Sequence, residues 1–441
     1  MDGMPTQFDP PSGTRDFLAA EFGRRERAFD ALRAVFASYG FEPLQTPAFE
    51  RLDVLLGKYG DEADKLVFKI LRRGEHEASG EADLALRYDM TVPLARVAAA
   101  HGSQLPTPYK RYAMGPVWRA DRPGRGRYRE FTQCDIDTLG STSPLADAEV
   151  LCVQHDAMAA LGLTDFVMRI NSRHVLSGLL EVFAVPAELG AGVLTSLDKL
   201  DKMSPADVID EIAGRGLAAP AAAELVMAMT AAGATDRIRT ALKPSETGMA
   251  GLEEVDRLVT LVSGQVPPGR VAFEPRMVRG LSYYTGPIWE LTAAGVPGSL
   301  CGGGRYDHLI EQLGGPDVPA TGSSLGVERV LMLLPDEEGH AGRIDVAVTV
   351  LGDLAEQSFA LAAQARAVGL RASVYLGGSG KLGKQLRWAA DEGARWCLIY
   401  GTAERDAGTV TVRDLSAAEQ EAVPAAEVAG YLARKAAAAD V

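Results

Sequence analysis

Apolar residues recur along this chain with two periods, and the switches between them outline its elements. Phe22, Ala28, Phe29, Leu32, Val35 and Phe36 keep helical spacing and predict a helix over 22–39. Val67 to Leu71 reads as a strand, Asp83 to Arg87 alternates as another, and Met90 to Ala100 returns to helical spacing. Tyr112 to Arg119 and Arg129 to Leu139 alternate as two strands around a polar segment, which predicts an antiparallel hairpin with a long tip. Ala146 to Leu161 is expected to be helical. Val271 to Val278 and Pro287 to Leu291 have strand character, and Leu325 to Leu334 predicts a buried helix.

Two stretches break this grammar. Residues 185–265 are rich in alanine, leucine and acid, are punctuated by Pro205, Pro220 and Pro244, and predict a helical insertion. Residues 336–342 are polar and turn-rich and predict a linker. Beyond it strands and helices alternate: Ile344 to Leu351, Arg371 to Leu376, Trp396 to Tyr400 and Thr409 to Val412 as strands, and 354–368, 381–392 and 425–435 as helices. Such alternation implies a largely parallel, helix-covered sheet. The expected class is α/β (α+β): an antiparallel-sheet core split into 1–184 and 266–335 around the 185–265 insertion, then a separate α/β domain over 343–441.

A length of 441 residues exceeds one typical core, in line with this division. No apolar run reaches membrane-spanning length, and the first residues show no basic-then-apolar leader, so a cytoplasmic protein with no membrane partner is expected. The four cysteines, at 134, 152, 301 and 397, make no metal or CxxC spacing, so reduced thiols are expected. A net charge of −14 argues against nucleic-acid binding through overall charge. It leaves room for a local patch, and Lys110, Arg111, Arg119, Arg122, Arg125, Arg127 and Arg129 form one. A solvated charged face is the bland reading of that run. Pro123, Gly124 and Gly126 break it into a flexible loop suited to seeking phosphate.

Candidate chemistry gathers in four places. Arg279-Gly280-Leu281-Ser282-Tyr283-Tyr284-Thr285-Gly286 and Cys301-Gly302-Gly303-Gly304-Arg305-Tyr306-Asp307 combine glycine for close backbone approach, tyrosine for flat walls with polar tips, and arginine for phosphate. On the hairpin, Gln133, Asp135 and Asp137 share a face by the period of two, with Arg119 on the partner strand. Arg87-Tyr88-Asp89-Met90-Thr91 joins a strand to a helix; Asp89 serves there either as a cap or, with Thr91, as a grip for an ammonium group. Gly322 to Arg329 is expected to be a glycine-rich turn entering a hydrophobic helix, whose Arg329 needs an anionic or aromatic partner.

In this order the elements resemble a family. The basic hairpin with Arg119, followed by Gly-Val-Glu-Arg329, resembles motifs 2 and 3 of the class II aminoacyl-tRNA synthetases; Pro47 and Glu50 before Lys65 to Ile70 resemble motif 1, the dimer element. The two glycine–tyrosine phrases are similar to the histidine signatures of the histidyl-tRNA synthetases, and Lys381-Leu-Gly-Lys384-Gln385 is similar to that family's anticodon-binding domain.

The resemblance implies ATP-dependent activation of L-histidine to histidyl-adenylate, then transfer to the 3′ end of tRNA(His), by a homodimer using ATP and Mg²⁺. It implies that Arg119 and Arg279 act on the α-phosphate. Asp121, Arg127 and Arg329 would contact ATP. Asp89, Thr91 and Gln133 would hold the α-ammonium, Asp137 and Tyr284 the imidazole nitrogens, and Tyr283 and Tyr306 would line the pocket. Arg122, Lys381 and Lys384 would touch tRNA, and no protein side chain is assigned to a metal. The sequence departs from the family pattern at Ser282, where Asp is usual, at Asp89 and Asp137, where Glu is common, and at Asp121, where Glu often reads adenine. The rival is a catalytically inactive paralogue, such as the regulatory subunit of ATP phosphoribosyltransferase. That subunit typically lacks the last domain, which this chain has.

Overall fold

A computed structural model describes residues 8–59, 64–74, 79–201, 203–278, 283–296, 298–334 and 344–438. The chain forms two compact units, Met1–Pro335 and Asp336–Val441. Arg279 to Ser282, and the linker expected over 336–342, lie outside the described residues.

The first unit is organised by one eight-stranded sheet. Its strands are β1 (Glu42–Pro43), β5 (Tyr109–Trp118), β6 (Glu130–Leu139), β7 (Val167–Ser172), β8 (Val271–Phe273), β9 (Pro287–Thr292), β10 (Cys301–Arg305) and β11 (Ala320–Gly326). They lie in the order β1-β5-β6-β11-β10-β9-β7-β8, antiparallel except where β1 meets β5 and β7 meets β8. A small antiparallel sheet joins β2 (Phe49–Arg51), β4 (Ala82–Leu86) and β3 (Lys69–Leu71). Two expectations change here. Gly322 to Gly326, expected as a turn because glycine and serine outnumber bulky residues, belong to the central strand β11, and only Val327–Leu331 is helical. The basic run is not one loop: Lys110 and Arg111 sit within β5, and the tip folds back on itself through reciprocal Gly124–Arg127 backbone bonds of 2.9 Å.

The period of two assigns each sheet face its task. One face carries Cys134, Ile136, Trp289, Leu291, Cys301 and Leu325 into the main core. There they meet helices α1 (Ala19–Ser38), α4 (Pro144–Ala160) and α10 (Glu246–Val262). The pairing register places Arg111, Gly115, Gln133, Asp135, Asp137, Gly322, Ser324, Gly302, Gly304 and Glu290 on the opposite face. With few bulky side chains, that face leaves space above the backbone.

Between β4 and β5 lies α3 (Thr91–His101), which follows the short α2 (Leu52–Leu55). A helical array, α5 (Arg173–Val182), α6 (Ala187–Leu197), α7 (Pro205–Gly214), α8 (Ala219–Thr230) and α9 (Ala234–Ala241), has its own core of Val193, Val208, Ile212, Leu225 and Met229. Ser204 and Ser245 cap α7 and α10 by accepting backbone N–H bonds. Helix α10 serves both cores, giving Leu252 to the array and Val255, Leu258 and Val262 to the main sheet.

The second unit is a five-stranded sheet in the order β13 (Ala372–Val374), β12 (Val346–Val348), β14 (Trp396–Ile399), β15 (Thr409–Asp414), β16 (Glu419–Pro424). Only β13-β12-β14 is parallel; β15 and β16 form an antiparallel hairpin, so the sheet is mixed rather than largely parallel. Its helices are α12 (Ala355–Ala367), α13 (Leu382–Asp391), the short α14 (Thr402–Ala407) and α15 (Val428–Ala437). Helix α12 gives Leu361, Ala362 and Ala365 to the core, and α15 gives Val428 and Leu432.

Candidate active site

Above the small-residue face opens a cleft of about 1100 Å³. Asp89, Thr91, Arg119, Asp121, Arg127, Gln133, Asp137, Tyr283, Tyr284, Tyr306 and Arg329 all line it, although they come from β6, the hairpin tip that follows β5, the start of α3 and the segments around β9 to α11 (Val327–Leu331). Of the other candidates, Arg122 is exposed and off the cleft, and Lys381 and Lys384 are exposed at the start of α13 in the second unit. Arg279 lies outside the described residues.

One end of the cleft is anionic and deeply buried. Asp89 accepts from the Val92 backbone N–H at 3.1 Å and from the Tyr59 hydroxyl at 3.0 Å, so it caps the first turn of α3. Its second oxygen, and the side-chain oxygen of Gln133, are buried without a protein donor. Burial pushes the Asp89 carboxyl above its usual range, against the Val92 N–H and the Arg119 charge. Such acceptors are completed by a cationic donor, which would also restore the carboxylate.

Next to them stands a tyrosine cage. Tyr283 lies 4.9 Å from Tyr284 and 5.7 Å from Tyr306, ring centre to ring centre. The Tyr306 hydroxyl donates to Asp137, and Arg111 pairs with the other Asp137 oxygen at 2.8 Å. Gly322 is required opposite Asp137, because a Cβ there would collide with the carboxylate. Gly304 is required under the cage: its Cβ would fall 2.6 Å from the Pro287 carbonyl and 2.9 Å from the Tyr284 ring.

The other end is cationic. Arg119 donates to the Tyr88 carbonyl at 3.1 Å and stacks 4.2 Å over the Tyr88 ring and 5.2 Å from Phe131. Arg127 pairs with Asp121 at 2.6 Å across the tip. Arg329 donates to the carbonyls of Gly126 (3.1 Å) and Ser299 (2.8 Å), which pins the tip to the β9–β10 turn.

Two arginines are not what their motifs suggest. Arg305, within a glycine phrase that implies phosphate contact, points off the cleft and pairs with Asp147 at 2.7 Å and Asp307 at 3.1 Å, clamping β10 to α4. Arg111, part of the basic run, is fully buried. Sequence reasoning also left out Tyr59, Tyr128, Arg173 and Arg215, which line the cleft. The last two stand on the helical array, whose alanine-rich text carries no sign of a pocket wall.

A family model described as histidyl-tRNA synthetase matches residues 13–330, and one described as an anticodon binding domain matches residues 345–435. The chain is 39% identical over 454 residues to the histidine–tRNA ligase of Gloeobacter violaceus, covering 95% of this chain and 97% of the relative. It is 40% identical to that of Paracoccus denitrificans over 92% of this chain and 90% of the relative. A crystal structure of histidyl-tRNA synthetase from Nostoc superposes with a TM-score of 0.76 at 30% identity, over 98% of this chain and all of that one.

Proposed function

The chain belongs to the histidyl-tRNA synthetase family and charges tRNA with histidine, and we propose that the cleft over the small-residue face performs both steps in the following way. The α-ammonium of histidine completes Asp89 and Gln133, with Thr91 beside them. The imidazole enters the tyrosine cage between Asp137 and Tyr284. ATP lies toward Arg119, Arg127 and Arg329, with Asp121 placed to read the adenine side.

The histidine carboxylate then attacks the α-phosphorus, a new C–O–P bond forms, the bond to the β-phosphate oxygen breaks, and pyrophosphate leaves. This step needs no strong base. It needs positive charge fixed where negative charge grows, which Arg119 supplies from a stacked, pre-oriented position, together with Arg279. In the second step a terminal ribose hydroxyl of tRNA attacks the adenylate carbonyl and AMP leaves. Mg²⁺ bound with ATP would supply charge neutralisation for the leaving pyrophosphate. Glu290 on the cleft floor offers the kind of oxygen donor this ion takes, whereas the three-ligand cluster found among the described residues, His308, Glu311 and Asp317, is exposed and off the cleft.

The carrying observation is the meeting, in one cleft, of two unsatisfied buried acceptors, an aromatic cage around Asp137, and Arg119. Residues 343–441 act on the anticodon through Lys381 and Lys384, Arg122 faces the acceptor end, and 185–265 forms an insertion with one wall on the cleft. Homodimerisation is supported by the exposed Phe49 and Leu71 on the small sheet that holds the motif 1 resemblance. The inactive-paralogue reading is weakened by relatives named as ligases that match nearly end to end.

Pyrophosphate exchange with each of the twenty amino acids tests the proposal. Exchange with histidine alone, abolished by Arg279→Ala, is expected; exchange indifferent to histidine would overturn it. Sedimentation of the pure protein at a monomer mass would overturn the dimer.

A further inference from the structure

Arg111 has a fully buried guanidinium, an uncommon place for a charge that touches no water. It does not line the cleft. It sits directly across the β5–β6 ladder from Asp137 and pairs with it at 2.8 Å. The same nitrogen donates to the Met90 carbonyl at 3.0 Å, immediately before Thr91 and the α3 turn that Asp89 caps. One side chain thus touches both ends of the amino-acid pocket: the carboxylate facing the ring and the turn facing the ammonium.

Both contacts bear on Asp137. A carboxylate this buried is driven toward its neutral form, and Arg111 opposes that. As an ion, Asp137 has about four lone-pair positions. Tyr306 donates to one oxygen, while the other faces Arg111 as an ion pair and accepts no hydrogen bond within the chain, which leaves it open to an imidazole N–H. Gly322 on one flank and Arg111 on the other fix where the carboxylate points. Asp89, buried in the same cleft, adds negative charge that a lone Asp137 would have to resist.

We propose that Arg111 is a positioning residue for histidine recognition: it holds Asp137 ionised and aimed, and ties that carboxylate to the Met90–Thr91 turn, without touching substrate. The inference rests on the reading of the cleft given above. It also accounts for the short Asp137 where a longer acid is common: the guanidinium is a rigid strut that the carboxylate leans against.

A double-mutant cycle tests it, with Arg111→Lys and Asp137→Asn singly and together, read by histidine-dependent pyrophosphate exchange. Lysine keeps the charge but has no planar fork. In the parental background R111K should raise KM for histidine about tenfold or more, the cost of one misdirected charged hydrogen bond. KM for ATP and kcat at saturating histidine should stay within about threefold, which generalised damage to the sheet would not spare. In the D137N background the same change should add less than about twofold to KM, because the group it acts through is gone. Equal factors in both backgrounds, an unchanged KM for histidine, or a parallel rise in KM for ATP would each overturn the proposal. Arg111→Gln is the second variant, and failure of both to fold, scored by thermal melting, would assign Arg111 to stability alone. Absence of histidine-dependent exchange in the parent would instead overturn the functional reading itself.

Discussion

Arg119 shows how much a single side chain's setting decides. Its guanidinium is oriented before any nucleotide arrives, by the Tyr88 carbonyl on one edge and two aromatic rings on its faces. Orientation set in advance is what makes a charge effective in a transition state. Arg119→Ala should lower the rate of histidyl-adenylate formation by on the order of 100-fold or more in single-turnover measurements. Asp135 makes a second prediction. Burial, opposed by Arg111, lifts its carboxyl from 3.8 to about 7. The folded chain therefore holds a proton there that the unfolded chain releases, so this group's contribution to stability falls as pH rises from about 4 to about 7 and then levels off. Asp135→Asn should raise the melting temperature relative to the parent more at pH 8 than at pH 5; an equal shift at both would show that Asp135 does not titrate in this window. Neither this behaviour nor the pairing of Arg111 was legible in the sequence. Their partners are 21 to 26 residues away and become neighbours only through β-sheet register. The candidates that the sequence did bring into one cleft were those standing on strong local signals: the hairpin's period of two, and the tyrosine pairs.

At the scale of elements, long periodic segments were readable and glycine-rich ones were not. The helices near 22–39 and 146–161 and both hairpin strands lie within a few residues of their expected places, because amphipathic period is a local property. Strand β11, Ala-Thr-Gly-Ser-Ser-Leu-Gly, has almost no strand-forming side chains. It is a strand because β6 and β10 pair with it on both sides, and its glycines are there for the room they leave. Arg305 follows the same logic: its phrase suggested a ligand contact, while its true partner, Asp147, lies 158 residues earlier on α4. Breaking that buried ion pair leaves Asp147 uncompensated. Arg305→Met should cost about 3–5 kcal/mol in urea denaturation of the first unit; a loss under about 1 kcal/mol would show that β10 is held by its backbone ladder alone.

For the whole molecule, the net charge of −14 concentrates any attraction for RNA on a few basic positions. The second unit presents Lys381 and Lys384 at the exposed end of α13, whose Gln385 is buried and bonds Val350 N–H, Val350 C=O and Ser379 C=O. The lysines are thus carried on a braced helix start. K381E/K384E should raise KM for tRNA at least tenfold and flatten its salt dependence, because fewer phosphates are neutralised and fewer counterions released on binding. Histidine-dependent pyrophosphate exchange should not change. Loss of both activities together would argue that this unit supports the first one's fold.

Strand order in the large sheet has one further consequence. Strand β6 is complete at Leu139, yet its inner neighbour β11 begins only at Ala320, with the helical array made in between. During synthesis the ribosome must emit some 180 residues while the Gln133–Leu139 edge waits with its N–H and C=O groups unclaimed. A nascent chain halted before residue 320 is therefore a half-built sheet with a sticky margin and no amino-acid pocket. Occupancy by histidine is available only to a chain whose last sheet strand has emerged, which makes the substrate a reporter of completed folding as well as a reactant.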